Sequence, residues 1–67
     1  MENRVEELRK SLSMNQEDFA KALHVSRQTV SSIENGKYNP SLVLAFSIAD
    51  FFDKHIEEVF IHERSIK

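Results

Sequence analysis

Only one glycine and one proline occur in this chain of 67 residues, and they stand close together as Gly36 and Pro40. So little turn chemistry leaves no room for a series of β-hairpins and favours helices joined by short connections. At this length the chain is read as one domain, residues 1–67, with no internal repeat or linker. A core this small rarely supplies more than about 3–5 kcal/mol, so self-association is a natural supplement. Apolar residues make up 40% of the chain and charged residues 30%, a balance that suits a globular protein better than a disordered one.

Several classes of function fall away on composition. There is no cysteine, hence no disulfide, thiolate nucleophile or zinc-thiolate site. The apolar runs, Leu42 to Phe46 and Phe51-Phe52, are too short to span a bilayer, and Glu2, Glu6 and Glu7 occupy the region where a secretion signal would be basic and apolar. A cytoplasmic protein is expected. The net charge of −2 does not point to a polyanion by itself. Residues 1–14 and 15–38 are each neutral, with three basic and three acidic groups, and the surplus acid lies further on.

Periodicity predicts five helices. Val5, Leu8 and Leu12 share one stripe of a helix over about Arg4 to Ser11. Asn15 reads as the N-cap of a second, with Asp18 in a weak capping-box position and Phe19, Ala20 and Leu23 on the inner face. Ser26 caps a third with Val30 and Ile33 inside, and Gly36 ends it. Ser41 caps a fourth, whose inner face reads Leu42, Ala45, Ile48, Ala49 and Phe52. Asp53-Lys54-His55 interrupts the pattern before a short fifth helix with Ile56, Val59 and Phe60. A short β pairing of Glu2–Arg4 with Ile61–Glu63 also fits the pattern.

The second and third helices carry the functional signal. Only His24-Val25-Ser26 separates them, too few residues for an antiparallel return, so the pair must cross steeply as a helix-turn-helix over about residues 16–35. The outward side of the third helix is then Arg27, Gln28, Ser31 and Ser32, all hydrogen-bonding and none acidic. Arg can pair bidentately with guanine, and Gln with adenine, in a major groove.

The run NQEDFAKALHVSRQTVSSIENGKYNPSL, Asn15 to Leu42, closely resembles the Cro/C1-type (XRE) helix-turn-helix regulators. VSRQTVSSIENGKYNPSL is its most specific part, and the likeness extends over about Arg4–Phe60. It is nearest to short, stand-alone members without a sensor domain. The resemblance implies an all-α, five-helix, lambda-repressor-like domain. Arg27, Gln28 and Ser32 would hold base-reading positions, with Thr29 and Ser31 at the margin. Asn15, Gln16, Asn35, Lys37 and Tyr38 would contact phosphates, Gln16 also bracing the recognition helix. Arg9 and Glu34 would form an ion pair between the first and third helices. Where the family often has Gly, this chain has Ser13, His24 and Asp53. Gly serves there for its positive φ, which Asp and His tolerate better than most residues.

The expected function is sequence-specific binding of double-stranded DNA, as a repressor on a near-palindromic operator. Few basic groups (Arg27, Lys37, Lys21 and Lys10) are available for phosphates, so two copies are needed for useful affinity. Phe51-Phe52 cannot both point inward, which marks a homodimer interface over about residues 51–62 using Phe51, Ile56, Phe60 and Ile61. Two other readings stand beside this one: the DNA-binding antitoxin of a toxin–antitoxin pair, and a protein-interaction module on the same scaffold. His55 with Glu58, and His62 with Glu63, lack the company of a metal site, and no serine sits in a strained nucleophile turn. No enzyme, metal, cofactor or small-molecule ligand is expected.

Overall fold

A computed structural model describes residues 1–62. Five helices follow one another: α1 (Val5–Ser11), α2 (Gln16–Leu23), α3 (Arg27–Glu34), α4 (Leu42–Phe51) and α5 (Ile56–Val59). The all-α expectation holds.

Three helices start on the side-chain caps read from the sequence. Asn15 Oδ1 accepts from the Asp18 N–H at 2.7 Å, Ser26 Oγ from Thr29 at 3.1 Å and Ser41 Oγ from Leu44 at 3.2 Å. Each satisfies a donor the helix cannot, worth about 1 kcal/mol. α5 begins differently: the Glu58 carboxylate accepts from the His55 N–H at 2.8 Å, and the Glu58 N–H donates to the His55 carbonyl at 2.9 Å. That bond holds the Glu58 carboxyl below the usual carboxylate range. At α1 the side chain comes from one residue earlier. Asn3 Oδ1 accepts from the Val5 N–H at 3.0 Å while its amide donates to the Ile33 carbonyl at 2.8 Å, so Asn3 stitches the start of the chain to the end of α3.

Among the described residues four have positive φ: Gly36 at 78°, Ser13 at 58°, His24 at 61° and Asp53 at 56°. The last three are the positions where the family resemblance implied a glycine. The left-handed turn is retained without it, at about 1–2 kcal/mol for an L residue.

Every helix contributes to one core. Val5, Phe19, Val30, Ile33, Ile48 and Val59 are essentially sealed from solvent, and Leu8, Ala20, Ala45, Ala49 and Phe60 are buried beside them. Fully burying side chains of this size contributes about 1.5–3 kcal/mol each. The segment before α1 lies antiparallel to the end of α5. Arg4 N–H donates to the Val59 carbonyl at 2.8 Å and Ile61 N–H to the Glu2 carbonyl at 2.9 Å, around a single bridge between Asn3 and Phe60. The expected β pairing therefore exists with its partner shifted towards residues 59–61; Glu63 lies outside the described residues.

Two expectations about the inner faces need correction. Leu12 is half exposed because it follows the last residue of α1 and caps it. Leu42, placed on the inner face of α4, is 69% exposed: it is the first residue of the helix, at the rim of the core. Phe51 and Phe52 divide as expected: Phe52 packs against the core and Phe51 is exposed at its edge. Phe19 stands between them, its ring 5.3 Å from each, edge-on to Phe51 and stacked with Phe52. Phe51 still keeps 37% of its surface exposed, and Ile61 38%, whereas Phe60 is 8% exposed and belongs to the core.

Candidate nucleic-acid interface

α2, the turn and α3 are locked by backbone bonds that need no particular side chain. His24, in its left-handed conformation, donates its N–H to the Lys21 carbonyl at 3.2 Å, and Val25 donates to Ala20 at 3.0 Å. Val25 is half-buried against the core, which anchors the corner. Ser26 then opens α3, its hydroxyl 2.9 Å from that of Thr29.

With Val30 and Ile33 turned inward, α3 presents Arg27 and Gln28 exposed and Thr29, Ser31 and Ser32 half-buried beside them. The loop after the helix is drawn back onto it. Lys37 and Tyr38 both donate their N–H groups to the Ser32 carbonyl, at 3.0 and 3.2 Å. Gly36 makes this return possible, since its positive φ reverses the chain one residue after Asn35.

Two shallow depressions flank Gln28. One, of about 340 Å³, is lined by Gln16, Arg27, Gln28 and Ser31. The other, of about 250 Å³, is lined by Ser26, Gln28, Thr29, Ser32 and Tyr38. The base-reading positions, Gln16 and Tyr38 are thus gathered on one corrugated polar surface. Asn15, Asn35 and Lys37 are exposed but line neither depression. The oxygen of Asn15 is already committed as the α2 cap. Ser26, read from the sequence only as a cap, lines the second depression as well.

No acidic side chain lines either depression. The acid on α3, Glu34, is turned beneath the surface, and Arg9 grips it with two bonds of 2.8 and 3.1 Å. Both side chains are nearly sealed, 7% and 4% exposed. The hydrogen bonds to Glu34 raise the pKa of Arg9 above its ordinary value. Arg9 also donates to the Met14 carbonyl at 2.7 Å, and Gln16 donates to Glu34 at 3.0 Å. One buried carboxylate therefore ties α1, α2 and α3 together, and all its strong hydrogen bonds are made inward. Asn3 adds a tie that the sequence reading missed; an Asn two residues before a helix is the signal for such a turn.

The polar face, the three-residue corner and the buried brace can now be set beside known proteins. The helix-turn-helix family model HTH_3 matches residues 5–59. This chain belongs to the Cro/C1-type helix-turn-helix family of transcriptional regulators. Individual members of the family agree along almost the full length. An uncharacterized HTH-type transcriptional regulator from Methanocaldococcus jannaschii is 54% identical over 63 residues, 94% of this chain and 96% of that one. Another from Archaeoglobus fulgidus is 46% identical over 94% of this chain and 89% of its own. YgzD of Bacillus subtilis, also an uncharacterized HTH-type transcriptional regulator, is 45% identical over 90% and 91%. The match runs from the first residue of α1 to the last of α5. Among the described residues no helix is long and apolar enough to cross a membrane, and no three His, Asp or Glu side chains are grouped to hold a metal.

Proposed function

We propose that this member of the family is a cytoplasmic repressor that reads a near-palindromic operator in double-stranded DNA as a homodimer. Arg27, Gln28 and Ser32 read base edges, with Thr29 and Ser31 at the margin. Gln16, Asn15, Asn35, Lys37 and Tyr38 hold the flanking phosphates. The observation that carries the reading is the acid-free surface centred on Gln28, with a depression on either side. A side chain standing between two hollows fits a groove edge whose phosphate ridges lie to either hand.

The physics of repression here is occupancy. Two recognition helices spaced about 34–36 Å apart enter successive major grooves on one side of the duplex. Bound there, the dimer excludes other proteins from the same stretch. Arg27 supplies two parallel donors for guanine, and Gln28 a donor and an acceptor for adenine. With few cations on the surface, each monomer releases few counterions, so the salt dependence per monomer is shallow.

The test begins with duplexes selected from a random pool. In anisotropy titrations, Arg27→Ala should lose about 1–3 kcal/mol on the preferred site and relax the choice at one base pair. Lys37→Ala should weaken all sequences alike and flatten the salt slope by about one. Identical binding by wild type and Arg27→Ala on every sequence would falsify base reading by α3 and leave the scaffold-only interpretation.

A further inference from the structure

The carbonyls at the end of α3 are taken up by the chain that follows. Ser31 accepts from the Asn35 N–H at 3.0 Å, Ser32 from Lys37 and Tyr38, and Ile33 from Gly36 at 3.0 Å. Ile33 accepts a second bond, from a side chain 30 residues away: the Asn3 amide, at 2.8 Å. That fills both lone pairs of the carbonyl from which the loop departs.

Asn3 is itself firmly held. Its oxygen accepts from the Val5 N–H at 3.0 Å, its amide also donates to the Met1 carbonyl at 3.3 Å, and its backbone is bridged to Phe60. On the other edge of the segment the Met1 nitrogen donates to the Gly36 carbonyl at 3.4 Å and to Asn39 Oδ1 at 3.1 Å. Met1 also joins Ile56 and Phe60 in the wall of an open apolar groove of about 430 Å³. Residues 1–4 therefore lie as a strap between the buried end of α5 and the loop that carries Asn35, Lys37 and Tyr38.

We propose that Asn3 is a positioning residue for phosphate binding: through the Ile33 carbonyl it fixes the loop Asn35–Tyr38 on the end of α3, so that Lys37 meets the DNA backbone while Arg27 and Gln28 meet base edges. The inference rests on the DNA reading above and adds to it a half-buried residue that lines neither depression. The Lys37 and Tyr38 N–H groups are already engaged by Ser32, so this part of the loop grips a phosphate only through side chains. The single glycine of the chain, Gly36, stands between α3 and Lys37, and glycine is the residue whose backbone turns most freely. The strap bonds the carbonyl of Ile33 before that hinge and the carbonyl of Gly36 at it, which removes the freedom.

Starting α1 is the other duty of Asn3, and the two separate cleanly, because its oxygen serves Val5 and its nitrogen serves Ile33. Asn3→Asp keeps an acceptor for Val5 and turns a carboxylate against the Ile33 carbonyl. Asn3→Ser keeps a hydroxyl for Val5 and ends one bond short of Ile33.

Anisotropy titrations in a salt series, on the selected duplex and its single-base variants, test the assignment, with circular dichroism to confirm folding at the assay temperature. At about 0.1 M salt both variants should bind every duplex about eightfold more weakly, as for one counterion fewer released, and their salt slope should flatten by about one. The order of preference among duplexes should stay that of wild type. Lys37→Ala should cost less than about twofold in either background, since its contact is already lost. Wild-type affinity in Asn3→Asp and Asn3→Ser, or a full cost of Lys37→Ala in their backgrounds, would overturn the positioning role. So would a relaxed base choice, which would mean that all of α3 had loosened. Amide exchange in the free protein separates the tie from the DNA reading. Exchange at Gly36, Lys37 and Tyr38 should quicken in Asn3→Ser while Val25 keeps its wild-type rate; unchanged exchange at residues 36–38 would overturn the tie. A wild type that binds every duplex equally, with exchange quickened in Asn3→Ser, would overturn the DNA reading and leave the tie standing.

Discussion

α3 and α4 are each buried along one side by the same core, yet their open sides are opposites. α3 shows Arg27, Gln28, Ser31 and Ser32, while α4 shows Leu42, Val43 and Phe46. Polar groups on an exposed helix are ordinary, and scattered apolar ones are too. The lesson lies in the support beneath them. Under α3 the structure invests a buried ion pair, a bracing Gln16 and two N–H groups folded back on Ser32. Under α4 lie apolar contacts, the Phe19–Phe51 ring pair among them, and a cap. A face that must present hydrogen-bonding groups at fixed angles needs rigid polar bracing, whereas an apolar face needs only shape and the absence of charge.

The harshest way to break this contrast is to remove the brace. Glu34→Ala should cost about 3 kcal/mol in denaturant unfolding, because Arg9 is left charged and buried without its partner. A loss under about 1 kcal/mol would mean that the pair is ornamental and that α3 is positioned by its apolar side alone. A milder change sharpens the comparison by relieving a turn on the braced side. Ser13 holds a positive φ without the freedom of glycine. Ser13→Gly should raise stability by about 1 kcal/mol, seen as a rise of about 4–8 °C in Tm for a domain of this size. A fall in Tm would show that the Ser13 side chain makes a contribution beyond its backbone conformation.

The smallest effect concerns the apolar side, where the Glu58 bond sets the entry of α5 and hence the groove walls Ile56 and Phe60. The folded-state pKa of Glu58 is lowered, so its stabilisation is fully present above the unfolded value near 4.3. It is lost as pH falls through the lower folded value. Glu58→Gln should therefore lower Tm slightly at pH 7, and the gap to wild type should close well below pH 4. A gap independent of pH would assign the effect to helix propensity instead of the carboxylate.

Much of this was legible in the residues. Short polar caps, the Gly36–Pro40 break and the apolar spacing located every helix to within about a residue, because those signals act within one turn of chain. The ion pair of Arg9 with Glu34 and the three glycine-like turns came from family likeness, since nothing local links positions 25 apart. The failures sit at helix ends. Leu12 and Leu42 keep the period of the stripe but fall where the helix leaves the core, and periodicity carries no information about where a neighbour stops. The apolar face of α4 is obscured for the same reason, because the period places Leu42 inside whereas it lies at the rim. Phe51 and Phe52 are adjacent and divide as the period implies, Phe52 against the core and Phe51 at its exposed edge, with Phe19 touching both rings. Asn3 escaped notice since its partner, the Ile33 carbonyl, belongs to a distant turn.

The central claim is that DNA meets the face around Gln28 and leaves that of α4 alone. A titration of the isotopically labelled protein with its selected duplex, followed by amide chemical shifts at a concentration where the dimer is already formed, tests it most directly. The largest changes should fall on residues 26–32 and 35–38, with Gln16 among them and residues 42–46 nearly still. Changes centred on α4, with Arg27 and Gln28 unmoved, would contradict the account.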